Sequence, residues 1–151
     1  MTARIQNMTS QPDLTTGVQH LFKGIYAGGV PKETLELVHL RASQINGCSF
    51  CVDAGAKNAA KAGMSPDKLA AVAAWYDSEV FDDAERAALA LTEAATRLAD
   101  RPGAVTDEIW AEAARHYNEQ QLGALVLMVA ISNLFNRLNT TFRRPAGTRW
   151  D

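Results

Sequence analysis

The pattern of apolar and polar positions along the chain shows no strict two-residue alternation of useful length. Alanine is abundant and β-branched residues are scattered, which favours helices over strands. The run from Leu122 to Leu134 is apolar on nearly every helical face, so we expect it to lie centrally or in a subunit interface. The pattern predicts an all-α fold.

Capping residues, prolines and glycines mark the ends of about six to seven helices. The predicted helices run from about Thr15 to Tyr26, from Pro31 in a first turn to Ile45, from near Cys48 to Gly63, from Ser65 toward Trp75, from Asp83 to Ala99, from Thr106 to near Tyr117, and onward from Asn118. A capping box is expected at Asp82 with Glu85, and Asn118 with Gln121 is expected to open the last helix. We expect a single domain over residues 1–151, with arms at 1–12 and 143–151.

Composition narrows the classes of partner. The chain has 151 residues, 47% of them hydrophobic and 21% charged, and its formal net charge is −2. This balance gives no electrostatic reason to expect nucleic acid or an anionic membrane surface as a partner. The N-terminal segment lacks the apolar core of a secretory signal, and no apolar run is long enough to suggest a membrane span. We therefore expect a cytoplasmic protein without a membrane contact.

The two cysteines of the chain, Cys48 and Cys51, form a Cys-x-x-Cys motif at the predicted start of a helix. Backbone N–H groups and the helix dipole favour a thiolate at that place, which suits a redox pair. A structural zinc site needs about four ligands, and His20, His39 and His116 do not complete one at any recognisable spacing. We expect no metal and no cofactor, while two buried, inert thiols remain an alternative.

The segment "ELVHLRASQINGCSFCVD" resembles the AhpD-like alkylhydroperoxidase branch of the carboxymuconolactone decarboxylase family. Glu36 stands twelve positions before Cys48, and the Leu-Arg-Ala-Ser-Gln-Ile-Asn-Gly stretch leads into the cysteine pair. The resemblance is specific over residues 31–63 and extends more loosely to the C-terminal "NRLNTTFRRPAG".

The resemblance implies an all-α AhpD-like fold assembled as a homo-oligomer, a trimer or a hexamer. It gives Cys51 the place of the peroxidatic cysteine, Cys48 that of the resolving cysteine, and Glu36 that of the carboxylate that starts a proton relay. A peroxide or another small molecule would be the substrate, and a lipoyl domain or a thioredoxin-like protein would supply the reducing dithiol. The helix dipole instead favours Cys48 as the more acidic thiol, so the order of the two sulfurs stays open.

The family motif has histidines that this chain lacks. Gly55 stands where the motif has a histidine four residues after the second cysteine, and Phe50 stands where some members have another. Glycine inside a helix costs stability, so Gly55 either makes room for a substrate or cofactor or answers to packing. His39, three residues after Glu36, is a tentative replacement for the missing imidazole.

Two other functions stay open. A decarboxylase acting on a small lactone acid would need cationic residues and a proton donor, for which His39, Arg41 and Arg137 are available. Arg41 is otherwise expected to form an ion pair with an acidic neighbour, and Asp53 to pair with Lys57 one turn later. Alternatively, the chain is a helical oligomer that has lost its relay and only binds other molecules.

Overall fold

The computed structural model of the chain describes residues 2–5 and 12–148, and this part contains only helices, turns and loops. The described residues form seven α-helices: α1 (Pro12–Tyr26), α2 (Lys32–Ile45), α3 (Ser49–Ala62), α4 (Pro66–Ala71), α5 (Asp83–Thr96), α6 (Asp107–His116) and α7 (Glu119–Thr141). A 3₁₀ helix, Val72–Asp77, follows α4. The all-α prediction and the expected number of helices are confirmed.

Local capping signals set most helix ends. The predicted capping box is present at the start of α5, and Asn118 with Gln121 forms a second one at the start of α7. Helix α5 ends at Thr96, earlier than the predicted Ala99, because the backbone leaves helical geometry at Arg97. Pro31 lies at the N-cap of α2 and not inside its first turn, since its ψ of 135° is extended.

Helix α2 lies at the centre of the fold and packs against α3, α5 and α7. Leu35 and Val38 on α2 join the larger apolar cluster with α1 and α7, whereas Leu37 and Leu40 join a second cluster with α3 and α5. Because α2 is enclosed on several sides, its polar residues Glu36 and His39 point into neighbouring helices.

Helix α7 is partly central, as its apolar sequence predicts. Leu125 and Met128 are fully buried, whereas Val126, Leu127 and Leu134 are exposed on its other side. By length and composition alone, α7 could cross a membrane, but half of its most apolar stretch is buried against the other helices. That degree of burial is typical of a core helix.

The ends of the described chain meet near the end of α7. The N–H of Arg4 donates to the carbonyl of Phe142 at 2.8 Å, and the N–H of Gly147 donates to Asp53 on α3 at 3.1 Å. Of the two expected arms, residues 1, 6–11 and 149–151 lie outside the described residues. The assignment of residues 1–151 to one domain stays a prediction.

Candidate active site

The cysteine pair lies at the N-terminus of α3. Gly47 has a φ of +66°, a conformation that glycine adopts without strain, and it turns the chain from α2 into α3. Cys48 is the N-cap of α3, and its Sγ accepts a hydrogen bond of 3.2 Å from the N–H of Cys51. The two sulfurs form a disulfide, and both residues are buried. The predicted placement of the pair at a helix start is therefore confirmed.

Asn139, near the end of α7, contacts one of the two sulfurs directly. Its Nδ2 donates to Cys51 Sγ at 3.4 Å, while its Oδ1 is buried without a hydrogen-bond partner. The residue is only 2% exposed. The residue carries no motif from which a role could be predicted. The available signal was the spacing of Asn133, Asn136 and Asn139, three residues apart in a largely apolar helix.

A cleft of about 220 Å³ opens beside the disulfide. Cys48 forms part of its wall and Cys51 does not. Its lining residues come from the start of α3 and the end of α7: Gly47, Cys48, Ser49, Phe50, Asn139, Thr140, Arg143 and Arg144. Two of these residues are arginines, so cationic side chains form part of the wall, which favours an anionic ligand.

Glu36 is a buried carboxyl group, only 3% exposed, that faces α1. The hydroxyl of Tyr26 donates to its Oε1 at 2.6 Å. Burial raises the pKa of Glu36 above its usual value, although the Tyr26 hydrogen bond and the charge of Lys32 act in the opposite direction. A carboxyl group with a raised pKa can exchange a proton closer to neutral pH than an exposed glutamate can.

His39 faces different helices from Glu36 and lies between α3 and α7. Its Nδ1 is 2.8 Å from Ser132 Oγ on α7. Burial lowers the pKa of His39 to about 4, so the ring is neutral at pH 7, although a backbone hydrogen bond with Cys51 acts in the opposite direction. Glu36 and His39, three residues apart on α2, thus hydrogen-bond to different helices.

The space beside Gly55 is filled by the His39 ring. A Cβ added to Gly55 would lie 3.0 Å from Cδ2 of His39 and 3.4 Å from its Nε2. Packing against this ring accounts for the glycine. An imidazole from α2 therefore lies beside the position where the family motif carries its own histidine.

The basic residues considered for a decarboxylase each have their own partners. Arg41 forms an ion pair with Glu93 on α5, and Arg137 bonds to Asn133 one turn back on α7. Asp53 pairs with Lys57 at 2.7 Å, as predicted. In the described part of the chain, these contacts do not gather His39, Arg41 and Arg137 into one carboxylate-binding site.

Comparison with known proteins places the chain among relatives whose activities are mostly unassigned. A family model described as "Carboxymuconolactone decarboxylase family" matches residues 12–94. The uncharacterized protein YdfG of Bacillus subtilis (strain 168) is 28% identical over 99% of this chain and 100% of its own length. The uncharacterized protein YnjA of Escherichia coli (strain K12) is 38% identical over 73% of this chain, which spans 59% of that protein.

Solved structures with the same fold include two proteins with a described function or suggested role. The first is an Agrobacterium tumefaciens protein of unknown function for which a role as an antioxidant defence protein, AhpD, was suggested; its TM-score is 0.88 at 28% identity, over 98% of this chain and 100% of that one. The second is the debrominase Bmp8. A cysteine-to-alanine variant of it in complex with 2,3,4-tribromopyrrole has a TM-score of 0.82 at 26% identity, over 93% of this chain and 74% of that one.

Proposed function

We propose that this chain, which belongs to the carboxymuconolactone decarboxylase family and has the AhpD-like fold, is a thiol-dependent oxidoreductase. Cys48 and Cys51 would cycle between a dithiol and a disulfide. The observation that carries the proposal is the Cys48–Cys51 disulfide itself, formed at a helix N-terminus beside an open cleft. A cysteine pair at a helix N-terminus is suited to repeated oxidation and reduction, because the helix end favours a thiolate.

The oxidative half of the cycle consumes one peroxide. The thiolate of one cysteine attacks the peroxide; the family resemblance gives this role to Cys51, although Cys48 is the one of the two that lines the cleft. The O–O bond breaks, and the alkoxide takes a proton to leave as an alcohol. The other thiol, Cys48, then attacks the resulting sulfenic acid, and water leaves as the disulfide forms. Glu36 is the proposed proton acceptor of the relay, supported by its burial and raised pKa.

His39 is proposed to support this site in a neutral form. Its lowered pKa of about 4 makes it a poor source of protons at pH 7, since the charged form is scarce there. Its contacts with Ser132 and Gly55 suit it to hold α2, α3 and α7 in register. We therefore propose that it is a positioning residue and not the relay imidazole.

The reductive half needs a dithiol, and we propose a lipoyl domain or a thioredoxin-like protein as its source. Cys48 lines the cleft and Cys51 does not, so we propose that an incoming thiolate attacks Cys48. The exposed Arg143 at the cleft favours a partner with an acidic rim.

We also propose a homo-oligomer, a trimer or a hexamer, in the cytoplasm. Exposed apolar side chains on α1 and α7 support an interface between copies: Leu14, Leu21, Tyr26, Val126, Leu127 and Leu134. Light scattering coupled to size exclusion measures the mass directly. A monomer at micromolar concentration would contradict this part of the proposal.

A small halogenated aromatic is a second candidate oxidant, because the debrominase structures share this fold. In that reaction one thiolate takes the halogen from carbon, the carbanion gains a proton, and the second thiol displaces halide to form the same disulfide. The dithiol supplies two electrons in both cases, so the redox pair is common to the two candidates.

The deciding experiment supplies the reduced protein with an organic hydroperoxide, or separately with a brominated pyrrole, and with dihydrolipoamide as reductant. We expect intramolecular disulfide formation by mass spectrometry and turnover that is lost in Cys51→Ser and in Cys48→Ser. Asp53→Asn, which removes the Lys57 ion pair on the same helix, is the matched control and is expected to retain turnover. Full activity in both cysteine variants, or a dithiol that neither oxidant converts, would refute the proposal.

A further inference from the structure

The two sulfurs of the disulfide have different hydrogen-bond donors. Cys48 Sγ accepts from the backbone N–H of Cys51 at 3.2 Å, whereas Cys51 Sγ accepts from the side-chain amide of Asn139 at 3.4 Å. A backbone donor is fixed by the helix and cannot be changed by substitution. The donor to Cys51 is a side chain from another helix, so its contribution can be tested.

We propose that Asn139 is a catalytic residue that holds the negative charge of Cys51 whenever the disulfide is opened. This inference rests on the dithiol–disulfide cycle proposed above. In the family motif histidines stand near this sulfur, but here those positions hold Gly55 and Phe50. Among the described residues, the side-chain amide of Asn139 donates a hydrogen bond to the Cys51 sulfur.

The direction of attack supports this role. The cleft is lined by Cys48 and not by Cys51, so the thiolate of a dithiol partner attacks Cys48 Sγ. The Cys48–Cys51 bond breaks, a mixed disulfide forms on Cys48, and the electron pair remains on Cys51 as a thiolate. The second thiol of the partner then displaces Cys48. Cys51 is therefore the leaving group, and a donor at its sulfur promotes that step.

The chemistry of the donor fits a charge that develops during the reaction. A disulfide sulfur is a weak acceptor, while a thiolate accepts a charge-assisted hydrogen bond, which is roughly twice as strong as a neutral one. The contact is already formed in the disulfide, so little reorganisation is needed when the charge develops. The amide is also buried, where such a hydrogen bond is stronger than in water.

The other end of the amide gives independent support. Asn139 Oδ1 is buried and has no hydrogen-bond partner, which is uncommon for a side-chain amide that serves only the fold. Asn136, one turn earlier on α7, shows the structural pattern: its Oδ1 accepts from Asn46 and its Nδ2 donates to Ser43. Reduction adds an S–H donor to the site, which the disulfide lacks, and Oδ1 belongs to the same amide whose Nδ2 contacts Cys51 Sγ.

The test measures the thiol titration of Cys51 by mass-resolved alkylation in a Cys48→Ser background, where one thiol titrates alone. We expect Asn139→Ala to raise the pKa of Cys51 by roughly one unit, which lowers its thiolate fraction at neutral pH by up to tenfold. Asn139→Asp keeps the side-chain volume, removes the donor and adds a negative charge, so we expect a larger rise. Asn136→Ala is the matched control and should leave the titration unchanged.

A second measurement uses the unaltered chain in its reduced form. The side-chain amide protons of Asn139, followed by NMR, should shift with the same pH midpoint as the alkylation of Cys51. This keeps the proposal testable if a variant does not fold. An unchanged Cys51 titration in folded Asn139→Asp, an equal change in Asn136→Ala, or amide protons that ignore the titration would each overturn it.

The two proposals fail in different ways. If neither oxidant is turned over but the Asn139 variants raise the pKa of Cys51, the proposed function is wrong and the role of Asn139 in holding the thiolate stands. If turnover is observed and the Asn139 variants titrate like the parent, only the role of Asn139 is wrong.

Discussion

The two halves of α7 are built differently. Its first half buries apolar side chains such as Leu125 and Met128 in the larger core cluster. Its second half buries Ser132, Asn133, Asn136 and Asn139. The first half needs only shape and apolar surface, whereas buried polar groups in the second half need matched partners to offset the cost of leaving water.

The partners of the polar half lie where the cysteine pair begins. Asn46, in the turn between α2 and α3, donates to Asn133 at 3.0 Å and to Asn136 at 2.8 Å. Ser132 contacts His39, and Asn139 contacts Cys51. The first half therefore packs the core, whereas the second half bonds α7 to α2 and the turn that follows it, and contacts Cys51 through Asn139.

The largest expected effect is on the apolar half. Leu125→Ala removes a fully buried side chain from the core and should lower the free energy of unfolding by about 2–5 kcal/mol. The alkylation profiles of Cys48 and Cys51 should stay unchanged, because the cavity forms away from the sulfurs. Denaturant unfolding and mass-resolved alkylation measure the two quantities. Altered thiol titration in a folded Leu125→Ala would break the separation between the halves.

The His39 contact predicts a dependence of stability on pH. The pKa of His39 is about 4 in the folded chain and 6.5 when unperturbed, so between these values the unfolded state binds the additional proton. Stability is therefore lost as the pH falls from about 6.5 toward 4, by of the order of 3 kcal/mol.

His39→Asn should remove this acid-side loss, since Asn keeps a polar group near Ser132 but does not titrate. Unfolding by denaturant at several pH values compares the two chains. Glu36 acts in the opposite direction, because its raised pKa favours the folded state at low pH, and it is present in both chains. Equal slopes in the parent and His39→Asn would show that the ring is not held neutral by burial.

The sequence predicted the helices and their ends better than it predicted the contacts around the cysteine pair. Helix order, capping boxes and the placement of Cys48 follow from local signals, so they could be read before the structure. The contact between Gly55 and the His39 ring could not be predicted, because the two residues are sixteen positions apart and meet only through the packing of α2 on α3. Asn139 was missed for the same reason, since its contact with Cys51 spans 88 positions.

Asn136 tests whether the polar half contributes to stability at all. Asn136→Ala leaves the amide of Asn46 and the hydroxyl of Ser43 without one of their partners, so we expect a loss of about 1–3 kcal/mol. Thermal unfolding measures the loss. Gln44→Ala, which changes a partly exposed residue next to Ser43 on α2, serves as a comparison. A neutral Asn136→Ala would mean that the hydrogen bonds of Asn136 contribute no net stability.

The smallest expected effect concerns Gly55. Alanine is more favourable than glycine in a helix interior by about 0.8–1 kcal/mol, so Gly55→Ala should stabilise α3 wherever its methyl group has space. Here the methyl group would meet the His39 ring at 3.0 Å, and the ring is held by Ser132. We therefore expect Gly55→Ala to be neutral or destabilising in the parent chain.

The same substitution should become stabilising by roughly 1 kcal/mol in a His39→Ala background, where the ring is gone. The four chains form a double-mutant cycle whose coupling free energy measures the interaction between the methyl group at position 55 and the His39 ring. Additive effects would mean that the ring moves aside at no cost. In that case His39 would not hold α2, α3 and α7 in register, and the polar half of α7 would act on the cysteines through Asn139 alone.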